Sequence, residues 1–185
     1  SRNQRSVVYQ RAKQQIDKRP FGTQVDVYEI GYEWINHSIT PAKVRDYDFR
    51  IVIGQVNGKN KPGVQQAYSA SVFNISAMSF GALSANAIRS LNQGAKKGGF
   101  AHDTGEGSIS SYHREYGGDL IWEIGSGYFG CRNPDGSFSE EKFIRNALAP
   151  QVKMIEIKLS QGAKPGQGGI LPGPKVTPEL AAARG

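Results

Sequence analysis

MIEIKLSQGAKPGQGGILPGPKVT, Met154 to Thr177, is the stretch that decides the fold class. A short apolar strand, Val152 to Ile157, ends on Lys158 and opens directly into a loop holding Gln161, a second lysine at Lys164, and several glycines. α/β barrels build their sites from apolar strands that deliver charged groups to such loops. The strand tip supplies rigid placement, and glycine lets the backbone approach a ligand. Two cations and an amide on one short loop suit a ligand with two carboxylates, or one carboxylate and an electron-rich ring. A phosphate-binding P-loop is excluded, because Gly162-Ala163-Lys164 runs into Pro165.

Upstream, the rhythm from Ser71 onward matches this unit. Residues 71–78 (SVFNISAM) read as a strand ending at small residues. Residues 82–97 read as a helix, with Leu83, Ala87, Ile88 and Leu91 as its apolar stripe and Gly98-Gly99 as its stop. GFAHDTGEGS then reads as a strand and Gly-rich loop, and residues 119–127 (DLIWEIGSG) as another. A turn at Asp135-Gly136 precedes a helix capped by Ser139 and running through Leu148. Thr177 and Pro178 open a last helix, PELAAAR. Strands alternating with helices predict a parallel sheet with right-handed crossovers. The strand ends at 78, near 103, at 124 and at 158 should then gather on one face. Residues 1–70 lack this alternation. They read as an irregular N-terminal extension: one helix ended by Arg19-Pro20, then short strand- and turn-like pieces including TQVDVYEIGYEWINHSI, YDFRIVIGQ and the turn NGKNKPG.

The totals narrow the function classes. A chain of 185 residues, 38% hydrophobic, supports one core of ordinary size. A net charge of +7 admits anionic partners. Arg2, Arg5, Arg11, Lys13, Lys18 and Arg19 crowd the N-terminus without interleaved aromatics or a known nucleic-acid module. A solvated basic surface and no nucleic-acid partner are therefore expected. One cysteine, Cys131, cannot form an internal disulfide, nor by itself a structural zinc site or an iron–sulfur cluster. A reducing compartment is expected. No window approaches the ~18 apolar residues of a membrane span. The first residue is Ser, so the chain is expected to begin inside a longer gene product or after processing.

Further motifs can carry chemistry. SAMSFGALS, 76–84, is a strand end whose backbone N–H groups can meet a planar ligand or an anion, or simply turn into the helix. In HDTGEGS, 102–108, Glu106 stands between two glycines as a general acid or base, or as a solvated loop carboxylate. His102 and His113 read as structural, since no metal-ligand spacing surrounds them, and no metal is expected. Gly125-Ser126-Gly127-Tyr128-Phe129-Gly130 has a GxGxxG look, but a dinucleotide fingerprint needs a helix at once, and Cys131 to Gly136 is turn-like.

Together, ISAMSFGALS, DTGEG, EIGSGYFG and EIKLSQGAKPGQGGILPGPKVT followed by AAAR resemble the FMN-binding synthase domain of glutamate synthase large subunits, over roughly residues 71–185. The segment PFGTQVDVYEIGYEWINHSI is similar to the stand-alone, single-domain members, which often carry an N-terminal membrane segment. The resemblance implies the first half of a TIM-type (β/α)8 barrel, residues 71–185, completed by the rest of the same polypeptide. The fragment by itself would be inactive. The implied cofactor is FMN, with any iron–sulfur cluster built by residues beyond this chain. The implied activity is that of an oxidoreductase: ammonia adds to 2-oxoglutarate, and hydride from reduced flavin converts the iminoglutarate to glutamate. Carried onto this chain, the backbone at Ala77, Met78 and Ser79 lies against the flavin. Glu106 is the proton shuttle, and Lys158 and Gln161 lie near the flavin and the keto group. Lys164 and Arg184 pair with substrate carboxylates. A cytoplasmic location is implied, with membrane association through a segment absent here. The electron donor, nitrogen source and oligomeric state stay open.

Three positions depart from the family pattern: Ile170 and Glu123 replace glutamines, and Tyr128 replaces an arginine. They leave room for a different amino or keto acid substrate, or for a non-catalytic barrel acting as a binding protein.

Overall fold

The computed structural model describes residues 2–16, 26–43, 49–62, 66–160 and 171–185. It separates into two compact units, Ser1–Arg45 and Asp46–Gly185. In the first unit, helix α1 spans Arg2–Ala12 and ends well before the expected Arg19-Pro20 stop. Gln14 takes a φ of 53°, and Gln15 N–H reaches back to the Gln10 carbonyl, closing the last turn early. The strand-like pieces expected around residues 26–39 form no strand among the described residues. Instead, the Asp26 carboxylate accepts the Tyr28 N–H at 3.0 Å and starts a turn.

The second unit opens with strand β1, Arg50–Ile53. A two-residue turn at Asn57 (φ 52°) and Gly58 (φ 74°) joins β2, Gln55–Val56, to β3, Lys59–Asn60. Two positive φ values in succession favour Asn-Gly, which explains the NG dipeptide. Strand β4, Tyr68–Ser71, pairs antiparallel with β1.

Residues 72–78, expected as a full strand, make a single parallel bridge, Ile75 to His102. Backbone hydrogen bonds still tie them to the next strand: Ile75 N–H to Ala101 O, Asp103 N–H to Ile75 O, and Met78 N–H to Asp103 O. Helix α2, Ala85–Gly98, starts on its cap Ser84, whose hydroxyl accepts the Ala87 N–H, and ends on Gly99 in the left-handed region. Its fully buried positions are Ile88, Asn92 and Ala95, a stripe rotated from the expected one. Asn92 belongs there because its carboxamide exchanges hydrogen bonds with the Gly118 backbone.

Strand β5, His102–Asp103, the short helix α3, Ser111–Arg114, strand β6, Leu120–Ile124, helix α4, Glu140–Ala147, and strand β7, Val152–Ile157, follow. A 3₁₀ turn at Gly173–Lys175 and helix α5, Pro178–Arg184, end the chain. The sheet β5-β6-β7 is wholly parallel, so the expected α/β alternation is present.

Each face of β6 has a separate task. Leu120, Trp122 and Ile124 bury against Ile109 and Cys131, with Phe143 and Ala147 of α4 packed over them. Ile121 and Glu123 face the other side, by the period-2 pleat. A second cluster, Phe80, Ile88 and Leu180, pins α5 to α2. Leu180 passes so close to Gly81 (φ 101°) that a Cβ there would meet its methyls at 2.8 Å.

Trp122 is fully buried, but its indole N–H has no hydrogen-bond partner among the described residues. Trp122→Ala should cost about 3–5 kcal/mol. Trp122→Phe should cost clearly less, because it also removes an unpaired buried donor. Urea unfolding of the three proteins measures the order.

Candidate functional site

Charged groups collect at the carboxyl ends of β5, β6 and β7, and a register shift decides which ones. Leu120 pairs with Val152, but Ile121 pairs with Met154, so Lys153 is an extra residue in β7. Such a bulge re-aims the side chains beyond it. Glu123 therefore stands beside Glu156 rather than Ile155. Lys158, two residues on, falls on the same face. Its N–H donates to Ile124 O at 2.9 Å, extending the ladder by one residue. Its ammonium lies 3.6 Å from Glu106 Oε2 and 3.7 Å from Glu123 Oε1.

Glu123 is 4% exposed, and its Oε1 accepts no hydrogen bond among the described residues. Lys158 is its charge partner. Burial raises the Glu123 pKa, Lys158 opposes this, and the carboxylates of Glu156 and Glu106 add to the rise. One oxygen each from Asp103, Glu123 and Glu156 lie within 4.8 Å of one another, a donor set that a hard divalent cation could accept. Without a cation, three close carboxylates hold a proton instead. Asp103 is pushed up to about 7, first by burial, then by the Glu123 charge and its contact with Glu156, against the lowering effect of the Gly105 N–H. That N–H donates to Asp103 Oδ1 at 2.8 Å.

The DTGEG loop nests between its neighbours. A Cβ on Gly105, whose φ is 64°, would fall 2.9 Å from the Ser79 nitrogen. A Cβ on Gly125 would fall 2.5 Å from Glu106 Oε2. Gly105 is required by its close approach to backbone, Gly125 leaves the Glu106 carboxylate its place, and together they set Glu106 between the loops after residue 78 and after β6. Arg184 closes the group from α5, its guanidinium 5.0 Å from the centre of the Phe129 ring. Burial draws its pKa down, Glu106 raises it, and Arg132 lowers it further. Its Nε is buried with no partner among the described residues.

Beside Glu106 runs the Ala77–Ser79 backbone. Met78 is tied twice: its N–H to Asp103 O at 3.1 Å, and its carbonyl to His113 Nε2 at 3.0 Å. Among the described residues, the N–H groups of Ala77 and Ser79 meet no acceptor, and Ala77 is exposed. These are the properties of a backbone edge that can accept a polar ligand rim.

The structure thus brings together Glu106, Lys158, Ala77, Met78, Ser79 and Arg184. Gln161, Lys164 and Ile170 lie outside the described residues. The GxGxxG-like segment 125–130 continues in turns, and no helix opens before Glu140. Two contributors escaped sequence reasoning, Asp103 and Glu156, and His113, read there as structural, is a buried ring bonded at both nitrogens whose contact with Met78 was not foreseen. The alternation Glu156-Ile157-Lys158 puts Glu156 on the lysine's face, which was a usable signal. Asp103 and His113 gave none, because their importance comes from contacts distant in sequence.

A family model described as a conserved region in glutamate synthase matches residues 33–185. The chain belongs to the glutamate synthase family. It is 46% identical over 107 residues to a glutamate synthase large subunit-like protein of Bacillus subtilis, covering 57% of this chain and 20% of that protein. It is 41% identical over 110 residues to an archaeal glutamate synthase [NADPH] of Methanocaldococcus jannaschii, covering 60% and 19%. An archaeal-type glutamate synthase [NADPH] of Dehalococcoides mccartyi is 39% identical over 109 residues, covering 59% and 19%. The matched stretch is about a fifth of each relative's length. No solved structure matches the chain. The family is one of oxidoreductases, consistent with charged strand ends on a parallel sheet.

Asp103 offers a test of the buried acid cluster. Its folded pKa of about 7 exceeds the ordinary 3.8, so the fold binds a proton that the unfolded chain releases. That contribution is complete below the ordinary value and is lost as pH rises through 7. Asp103→Asn imitates the protonated acid at every pH. It should match the parent near pH 4 and exceed it at pH 8, by on the order of 2–4 kcal/mol. His102, held down to about 4 by burial and by His113, runs the opposite way but is common to both proteins. Urea unfolding at the two pH values measures the difference.

Proposed function

We propose that the chain is part of an FMN-dependent oxidoreductase of the glutamate synthase type, which reduces 2-iminoglutarate, formed from 2-oxoglutarate and ammonia, to glutamate. One observation carries this: Glu106, Lys158 and Arg184, from three separate loops and elements, converge beside the Ala77–Ser79 backbone at one end of parallel strands. The sheet and the segment 72–78 are taken as part of a (β/α)8 barrel that the rest of the same polypeptide completes. The protein is taken to act in the cytoplasm, with 2-oxoglutarate or a similar anion as its small-molecule partner.

The residues present fit a flavin. The N–H groups of Ala77 and Ser79, without an acceptor among the described residues, suit a polar ring edge, and Lys158 suits the electron-rich end of the ring system. When bound, FMN supplies the hydride for the imine carbon. The chain's own groups do the rest. Arg184, whose buried Nε beside Phe129 has no partner among the described residues, takes a substrate carboxylate and orients it. Lys158, set between Glu106 and Glu123, polarises the keto or imine group. Glu106, half-buried at the loop tip, moves a proton at the substrate nitrogen. Lys164 and Gln161 complete the substrate and flavin contacts.

Glu106 and Glu123 flank Lys158, and Asp103 and Glu156 crowd against Glu123. This excess of acid favours a second reading, in which the same flavin chemistry serves a less anionic keto or imino acid.

The full-length protein should be yellow, and its reduced flavin should be reoxidised by 2-oxoglutarate plus ammonia. Glu106→Gln and Lys158→Met should retain flavin absorbance and lose turnover by about 10²–10⁴-fold. A colourless protein that takes up no added FMN overturns the proposal. Comparing kcat/KM for mono- and dicarboxylic keto acids separates the two substrates.

A further inference from the structure

His113 is fully buried on α3, far in sequence from the loop it touches. Its ring is held at both nitrogens. The Ser110 N–H donates to Nδ1 at 3.1 Å, and the Ser110 hydroxyl lies 2.8 Å from the same atom. An atom that accepts a backbone N–H carries no hydrogen of its own. The ring hydrogen is therefore on Nε2, which donates to the Met78 carbonyl at 3.0 Å. The tautomer is thus fixed by the capping box of α3, whose Ser110 hydroxyl also accepts the His113 N–H.

The same residue cannot turn away. Its ring packs 5.1 Å from His102, which is also fully buried, and Phe80 packs 4.9 Å from the neighbouring Tyr112. Met78 is consequently clamped on both sides, its N–H by the Asp103 carbonyl and its own carbonyl by His113. Gly105 meets Ser79 from below, with no room for a Cβ. Three contacts, two from the 103–105 loop and one from α3, converge on a stretch of three residues, 77–79, whose two remaining N–H groups have no acceptor among the described residues. Such a backbone is pre-ordered before any ligand arrives.

We propose that His113 is the positioning residue of the flavin face: its Nε2–H grips the Met78 carbonyl and so aims the Ala77 and Ser79 N–H groups at the ring system. This rests on the FMN proposal above. His113 itself touches neither cofactor nor substrate. Its role is to remove the freedom of the loop that does. Burial lowers the pKa of His113, and protonation at Nδ1 would break the Ser110 N–H bond, so both effects favour the same singly protonated ring.

The test uses the full-length protein with FMN and two variants. His113→Leu removes the donor but keeps a buried apolar side chain. His113→Gln returns an N–H near the Nε2 position. Fluorescence titration with FMN should show about tenfold weaker binding for the Leu variant, with a shifted flavin reduction potential, and near-parental values for Gln. Parental affinity and potential in the Leu variant overturn the proposal. So does equal damage in both variants when circular dichroism shows both folded, since that is a packing effect. A second measurement holds even when the Leu variant does not fold. Ring nitrogen-15 signals of the parent protein should report the Nε2–H tautomer, with the Nε2 signal moving on FMN addition. The other tautomer, or a signal indifferent to bound FMN, overturns the proposal. A parent protein that binds no FMN at all overturns the cofactor reading, and this inference with it.

Discussion

Glu123 and Glu156 stand side by side on adjacent parallel strands, and Lys158 follows two residues later on the same face. That neighbour relation depends on the extra residue at Lys153. Without the shift, Ile155 would stand opposite Glu123, and Lys158 would fall on the face covered by α4, where Leu120, Trp122 and Ile124 are packed. The lysine would then be buried in apolar surroundings with no carboxylate to meet, at a cost of several kcal/mol. The register of three strands thus decides both the core and the charge arrangement of the site.

Around this sheet, loops pack at backbone distance. A Cβ at Gly105 would strike the Ser79 backbone, and one at Gly125 would displace the Glu106 carboxylate. These close approaches place a carboxylate, an ammonium and a guanidinium from separate elements within one small region. Interaction among partly buried charges is stronger there than at an open surface. The consequence shows in the acid cluster, where Asp103 holds its proton to about pH 7 while Lys158 keeps Glu123 from rising further. The structure concentrates tunable charge at the strand ends.

Much of the fold was legible locally. Ser139 and Thr177 act as the expected N-caps, Gly99 ends α2 in the left-handed region, and β7 has its expected limits, whereas α2 starts only after Ser84, inside the helix expected from residue 82. These features depend on short-range backbone chemistry, which sequence displays directly. The failures were of another kind. Residues 72–78 have a strand-like composition but keep only one bridge, because pairing needs a partner's register as well as apolar residues. The aromatic and β-branched residues around 28–39 form no strand, because they find no edge to pair with among the described residues.

Sequence alone therefore determined the alternation of strands and helices, their caps, and the identity of Glu106, Lys158 and Arg184 as charged groups at strand-end loops or on the last helix. Each of those is written in a few consecutive residues. Only the tertiary structure decided that Lys158 lies between Glu106 and Glu123, that Asp103 and Glu156 join them, and that His113 clamps Met78. Those facts depend on a one-residue register shift and on contacts across tens of residues, and neither leaves a periodic trace in the chain.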